Sequence, residues 1–167
     1  MMCKFKSIFL VIGILFSVNN ILFAQTKEAP APIAAALLVK VIGFEKNISA
    51  GEITIYVLGS SDITAELRKV IGTANIKSVQ TGSSLPSTKP SILFIADEGK
   101  MAEAVEYTRK NKILSVTNLP ELVSKGVTLG FGIGKADKPI ILMNLTSSAE
   151  ESLDWNPAIM KVAQTTK

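Results

Sequence analysis

The chain contains no histidine in 167 residues. That absence removes the commonest general base, the usual metal ligand and every triad built on imidazole. Cysteine is almost as scarce, since Cys3 is the only one, and it stands before the apolar run Ile8 to Phe23. Once the leader carrying Cys3 is removed, there is no thiolate nucleophile and no possible disulfide, and a zinc site would need carboxylates alone. No metal site, cofactor or catalytic residue is expected. The Ser-x-x-Lys signature of a serine-lysine hydrolase is also missing, because no serine is followed three residues later by lysine.

What is present begins with an export signal. Lys4 and Lys6 precede the run Ile8 to Phe23, and Leu22-Phe23-Ala24 offers a small residue at a cleavage point. This predicts a signal peptide over residues 1–24 and a mature start near Gln25. Membrane anchoring by the uncleaved run is the competing reading, since a span takes about 20 apolar residues. A lipid anchor would need a cysteine after the run. The remainder has the size of one domain with one core. Without Lys4 and Lys6 the chain keeps 16 basic against 14 acidic groups, a balance that points to no nucleic-acid or membrane-surface partner.

Residues 25–32 (QTKEAPAP) read as an extended leader rather than a packed element, with the domain running from 33 to 167. Ile33 to Phe44 is apolar on nearly every helical face apart from Lys40, as in a helix buried on several sides; a docking helix is the alternative. Glu52 to Leu58 predicts a strand, and Gly59-Ser60-Ser61-Asp62 a turn into a helix carrying Ile63, Leu67, Val70 and Ile71 on one face. A weaker strand at Asn75 to Gln80 precedes a Gly/Ser/Pro/Thr-rich loop, and the continuous apolar run Ser91 to Ala96 suits a central strand. Asp97 opens a helix with Met101, Ala104, Val105 and Thr108 inward. Ile113 to Thr117 is a further strand, with Asn118 as cap and Pro120 in the first turn of a short helix.

This alternation predicts an α/β fold: a mostly parallel sheet with helices on both faces. Val127 to Ile133 and Pro139 to Leu145 add a C-terminal antiparallel hairpin, expected as the edge. Ser147 and Ser148, each with glutamate three residues on, predict a capping box, so Glu150, Glu151 and Asp154 read as a solvated helix start rather than an acid–base pair. Asn156-Pro157 predicts a closing helix to Gln164.

Gly130-Phe131-Gly132-Ile133-Gly134-Lys135 fails as a phosphate loop, because Leu129 and Ala136 stand where glycine and a hydroxyl are needed. Gly59, Ser60, Ser61, Asp97 and Asn118 fall at strand ends, where open α/β sheets form pockets, although capping explains the same residue types.

The order of these elements resembles the YfiR family. The similarity runs through the helix Ile33 to Glu45, then Ile53 to Gly59 (ITIYVLG), Ile92 to Ala96 (ILFIA) and Ile113 to Asn118 (ILSVTN). It continues through Gly126, the hairpin with Ile141 to Leu145 (ILMNL), and the end Leu153 to Ala163. Gly43-Phe44-Glu45-Lys46 departs from the aromatic and tryptophan content common at the end of the first helix in that family. The resemblance implies a non-catalytic periplasmic regulator that binds the extracytoplasmic part of an inner-membrane sensor, a diguanylate cyclase or histidine kinase. Partner-binding candidates are Phe44, Tyr56 and Trp155, with core packing as the alternative for each, and a homodimer is left open. A small-ligand-binding module is the alternative function.

Overall fold

The computed structural model describes residues 26–166; the predicted signal peptide lies outside them. In chain order the strands are β1 (Lys27–Glu28), β2 (Ile53–Leu58), β3 (Ile76–Gly82), β4 (Ile92–Ile95), β5 (Leu114–Thr117), β6 (Leu129–Ile133), β7 (Pro139–Asn144) and β8 (Ala163–Thr166). The helices are α1 (Ala31–Ile42), α2 (Lys46–Ser49), α3 (Ser61–Lys69), α4 (Met101–Asn111), α5 (Glu121–Ser124) and α6 (Leu145–Glu150). They build one eight-stranded sheet in the order β3-β2-β4-β5-β6-β7-β8, with β1 paired to β6. β3, β2, β4, β5 and β6 run parallel, while β7 is antiparallel to β6 as the hairpin pattern predicts.

Alternation along each strand divides the apolar side chains between two cores. Ile55, Val57, Ile92, Phe94, Val116, Leu129, Phe131 and Met143 join buried side chains of α1 and α3 in the larger core. Leu58, Leu93 and Ile95 join Ala104, Val105 and Leu122 in the smaller core under α4 and α5. Phe94 and Phe131 are completely buried, and truncating either to alanine removes about 3–5 kcal/mol. α1 buries one broad side, with Ala34, Ala35, Leu38, Val41 and Ile42 inward, while Leu37 and Val39 are half-buried flanks.

Several expectations are corrected by competition for backbone partners. Residues 26–32 of the expected leader are not free. Lys27 and Glu28 pair with Ile133 and Gly132, Ala29 is fully buried, and α1 already begins at Ala31 with proline in its first turn. Ile71 does not join the inward face of α3, which ends at Lys69, and is 45% exposed. The capping box does not form either. Asn144, a better cap lying three residues earlier, accepts from the Ser147 amide, so Glu150 and Glu151 fall at the end of α6 rather than its start.

The closing helix is likewise only a 3₁₀ turn, Pro157–Lys161, capped by Asn156 as predicted. Beyond it, Ala163 to Thr166 pair parallel to β7, whose outer backbone groups would otherwise lack partners, so the hairpin is not the sheet edge.

Candidate functional site

Counting only β2 to β6, the spatial order is second, first, third, fourth, fifth. This is a doubly wound sheet whose switch point lies between β2 and β4. The carboxyl ends at that point carry Gly59-Ser60 and Asp97. Gly59 adopts φ +92°, and a Cβ there would lie 2.5 Å from the Asp97 Cβ, so glycine is needed both for the turn and for the close approach. Ser60 caps α3 by accepting from the Ile63 amide at 3.2 Å, and Asp97 accepts from the Gly99 amide at 2.9 Å.

A cleft of about 520 Å³ opens beside this point, between the N-terminal half of α3 and the segment joining β1 to α1. Ser60 and Asn118 line it; Gly59, Ser61 and Asp97 are not among its lining residues. Glu28, Asp62 and Glu66 also line it; Asp62 and Glu66 lie together on α3, and Glu28 joins them only because β1 docks against β6. Asn118 does not cap α5. The Thr117 hydroxyl accepts from the Leu119 amide instead, which frees Asn118 to hold the incoming chain. Its Nδ2 donates to the Glu28 carboxylate at 2.5 Å and to the Ala29 carbonyl at 3.3 Å, and the backbone carbonyl of Asn118 accepts from the Ala29 amide at 3.2 Å. Oδ1 of Asn118 is buried without a hydrogen-bond partner.

Phe44 and Trp155 come together at a second location. Glu45 pairs with Trp155 in an antiparallel bridge, and the Asn156 amide donates to the Phe44 carbonyl at 2.7 Å. The fully buried Glu45 carboxylate binds this corner by accepting from the amides of Ile48 at 2.5 Å and Asp154 at 2.8 Å. Trp155 donates through Nε1 to the Ser148 hydroxyl at 2.8 Å, and both aromatics are partly buried against the larger core. Tyr56 belongs to the other face. It packs on the smaller core, and its hydroxyl donates to the Ser84 carbonyl at 2.9 Å.

A third polar cluster was not legible in the sequence. Glu151, at the end of α6, is 1% exposed. Its Oε2 accepts from the Ser115 amide at 3.1 Å and the Thr128 hydroxyl at 2.7 Å, while the Thr128 amide donates to the Ser115 hydroxyl. Burial raises the carboxyl pKa, and the hydroxyls of Ser115, Thr108 and Thr128 act in the opposite direction. The cluster satisfies backbone groups at the start of β5 and β6, where the ladder has not yet closed.

Among the described residues, no group of three His, Cys, Asp or Glu side chains could hold a metal ion, and no helix is long and apolar enough to cross a membrane.

The architecture is thus an open α/β sheet with a partly plugged switch-point crevice and an aromatic corner. Residues 32–164 match the family model described as DUF4154, YfiR/HmsC-like, and the chain belongs to that family, a regulatory one associated with the periplasm and with cyclic-di-GMP signalling. No curated protein matches. The fold is similar to the crystal structure of a conserved domain protein from Vibrio cholerae O1 biovar El Tor strain N16961, with TM-score 0.59 and 14% identity over 84% of this chain and 61% of that one. It is also similar to the ABC domain from Streptococcus pneumoniae crystallised with L-Trp, with TM-score 0.50 and 16% identity over 81% of this chain and 60% of that one. The chain therefore spans about three fifths of the length of each of these structures.

Proposed function

We propose that this chain is a non-catalytic periplasmic regulator that binds the extracytoplasmic domain of an inner-membrane signalling protein, a diguanylate cyclase or a sensor histidine kinase. The family match over residues 32–164 carries this reading. Residues 1–24 are then removed on export, and Phe44 and Trp155, held rigid by Glu45, form the contact corner. Regulation works through differential affinity: shifting a sensor from 1:99 to 99:1 between two states takes roughly a 10⁴-fold preference for one of them.

The test is titration of the purified mature protein against purified periplasmic domains of candidate cyclases and kinases, with intracellular cyclic-di-GMP measured in a deletion strain. Saturable binding with an altered dinucleotide level is expected. Lack of binding together with an unchanged level and unchanged kinase output would overturn the reading.

A second reading, a small-ligand-binding module, is favoured by the cleft at the switch point, whose volume suits a small molecule.

A further inference from the structure

We propose that the rim of the sheet around the β6–β7 hairpin docks on a bilayer surface carrying anionic phospholipid headgroups. The overall near-balance of charge conceals an uneven distribution. Lys27 pairs with Ile133 at the end of β6, and Lys135 and Lys138 occupy the hairpin loop between Ile133 and Pro139. Ala163 pairs with Ile141, so Lys161 and Val162 enter β8 beside the start of β7. The row of lysines crosses three strand spacings, about 14 Å. All four lysines are exposed, and none takes part in an ion pair among the described residues. Within the hairpin only Asp137 opposes them, and Glu28, next to Lys27, is engaged by Asn118.

Exposed apolar side chains provide an independent pointer. Three large ones are exposed among the described residues, and two of them, Met160 at 48% and Val162 at 38%, flank Lys161. A basic rim with apolar residues among its charges combines attraction to headgroups with insertion of apolar groups beneath them, the two components of interfacial membrane binding. An acidic protein surface is a poorer match. Protein interfaces favour arginine and aromatics and disfavour lysine, whereas the cations here are all lysine and no aromatic stands in the hairpin loop or at the start of β8. Lysine acts as a point charge on a flexible stem, which suits laterally mobile headgroups with no fixed partner geometry. Docking by this rim also leaves the aromatic corner free. The 12 residues of α1, about 18 Å, lead from β1 at the rim toward Phe44, and β2 then starts at the opposite end of the sheet.

The experiment is co-sedimentation of the mature protein with vesicles of phosphatidylcholine alone or with about one third phosphatidylglycerol. Partition onto the anionic vesicles only, weakening as salt rises, is expected. Each lysine near such a surface strengthens partition roughly fivefold, so Lys135→Gln combined with Lys138→Gln should weaken it about 25-fold. Met160→Ser combined with Val162→Ser should weaken it by about tenfold. Lys89→Gln combined with Lys110→Gln removes the same charge from exposed lysines ahead of β4 and β5, at the other end of the sheet, and should leave partition nearly unchanged. All the substituted side chains are exposed, and circular dichroism checks the fold of each variant. Trp155, the only tryptophan, should keep its emission on vesicles with brominated acyl chains. No partition even at low salt, equal partition onto neutral vesicles, equal loss from the two lysine pairs, or quenching of Trp155 each overturns the proposal. A purified sensor domain that binds through the same rim lysines while vesicles do not would overturn it too, and would leave the sensor reading standing.

Discussion

Replacing Glu151 by glutamine separates its hydrogen bonds from its charge. Glutamine keeps an oxygen for the Ser115 amide and the Thr128 hydroxyl but cannot ionise. Burial raises the folded-state pKa of the wild-type carboxyl above its unfolded value. Below the unfolded value, about 4.3, both states are protonated and there is no ionisation penalty. Between the unfolded and folded values the native state holds the extra proton, so wild-type stability falls as pH rises, by at most about 1.4 kcal/mol per pH unit. Above the folded value the penalty is complete and constant. Glu151→Gln lacks this loss, so its stability relative to wild type should grow with pH across that window and then level off. Glu151→Ala removes the acceptor from two buried donors and should cost about 2–6 kcal/mol at every pH. Urea unfolding of all three proteins from about pH 4 to about pH 8 measures both effects. Parallel stability curves for wild type and the glutamine variant would refute the assignment of a raised pKa to this carboxyl.

Asn118→Ala should loosen β1, costing about 1–3 kcal/mol and accelerating hydrogen exchange at the Ala29 amide, which NMR can follow. Glu45→Ala should cost about 2–5 kcal/mol by stranding the Ile48 and Asp154 amides, and should raise Trp155 fluorescence quenching by iodide as the corner opens. Gly59→Ala places a methyl group against Asp97 at a positive φ and should lower stability by about 1–3 kcal/mol in a denaturant titration.

Strands and helices were legible where side-chain periodicity was strong. The run ILFIA became the doubly covered β4, and Ala104, Val105 and Thr108 became the inward side of α4. The readings that failed did so where two local signals competed and tertiary contacts decided. Asn144 displaced the serine capping box, and a vacant strand edge drew Ala163 and Gln164 out of the expected closing helix. At the candidate site, Ser60 and Asn118 were found from their positions at strand ends. Glu28 was invisible because a two-residue strand pairing with residues more than a hundred positions away leaves no periodic trace. Glu45 and Glu151 were missed because a carboxylate that satisfies backbone amides looks the same in sequence as a solvated one.

The placement of β8 bears on how the protein behaves at high concentration. Ala163 to Thr166 cover the outer row of β7, a strand containing Ile140, Ile141, Leu142 and Met143. Without those four polar-leaning residues, an apolar strand with open amides and carbonyls would form the rim, a template for strand-to-strand aggregation. β8 thus shields the rim of the sheet, and removing Ala163 to Thr166 should promote fibrillar or amorphous self-association even if the rest of the sheet stays folded.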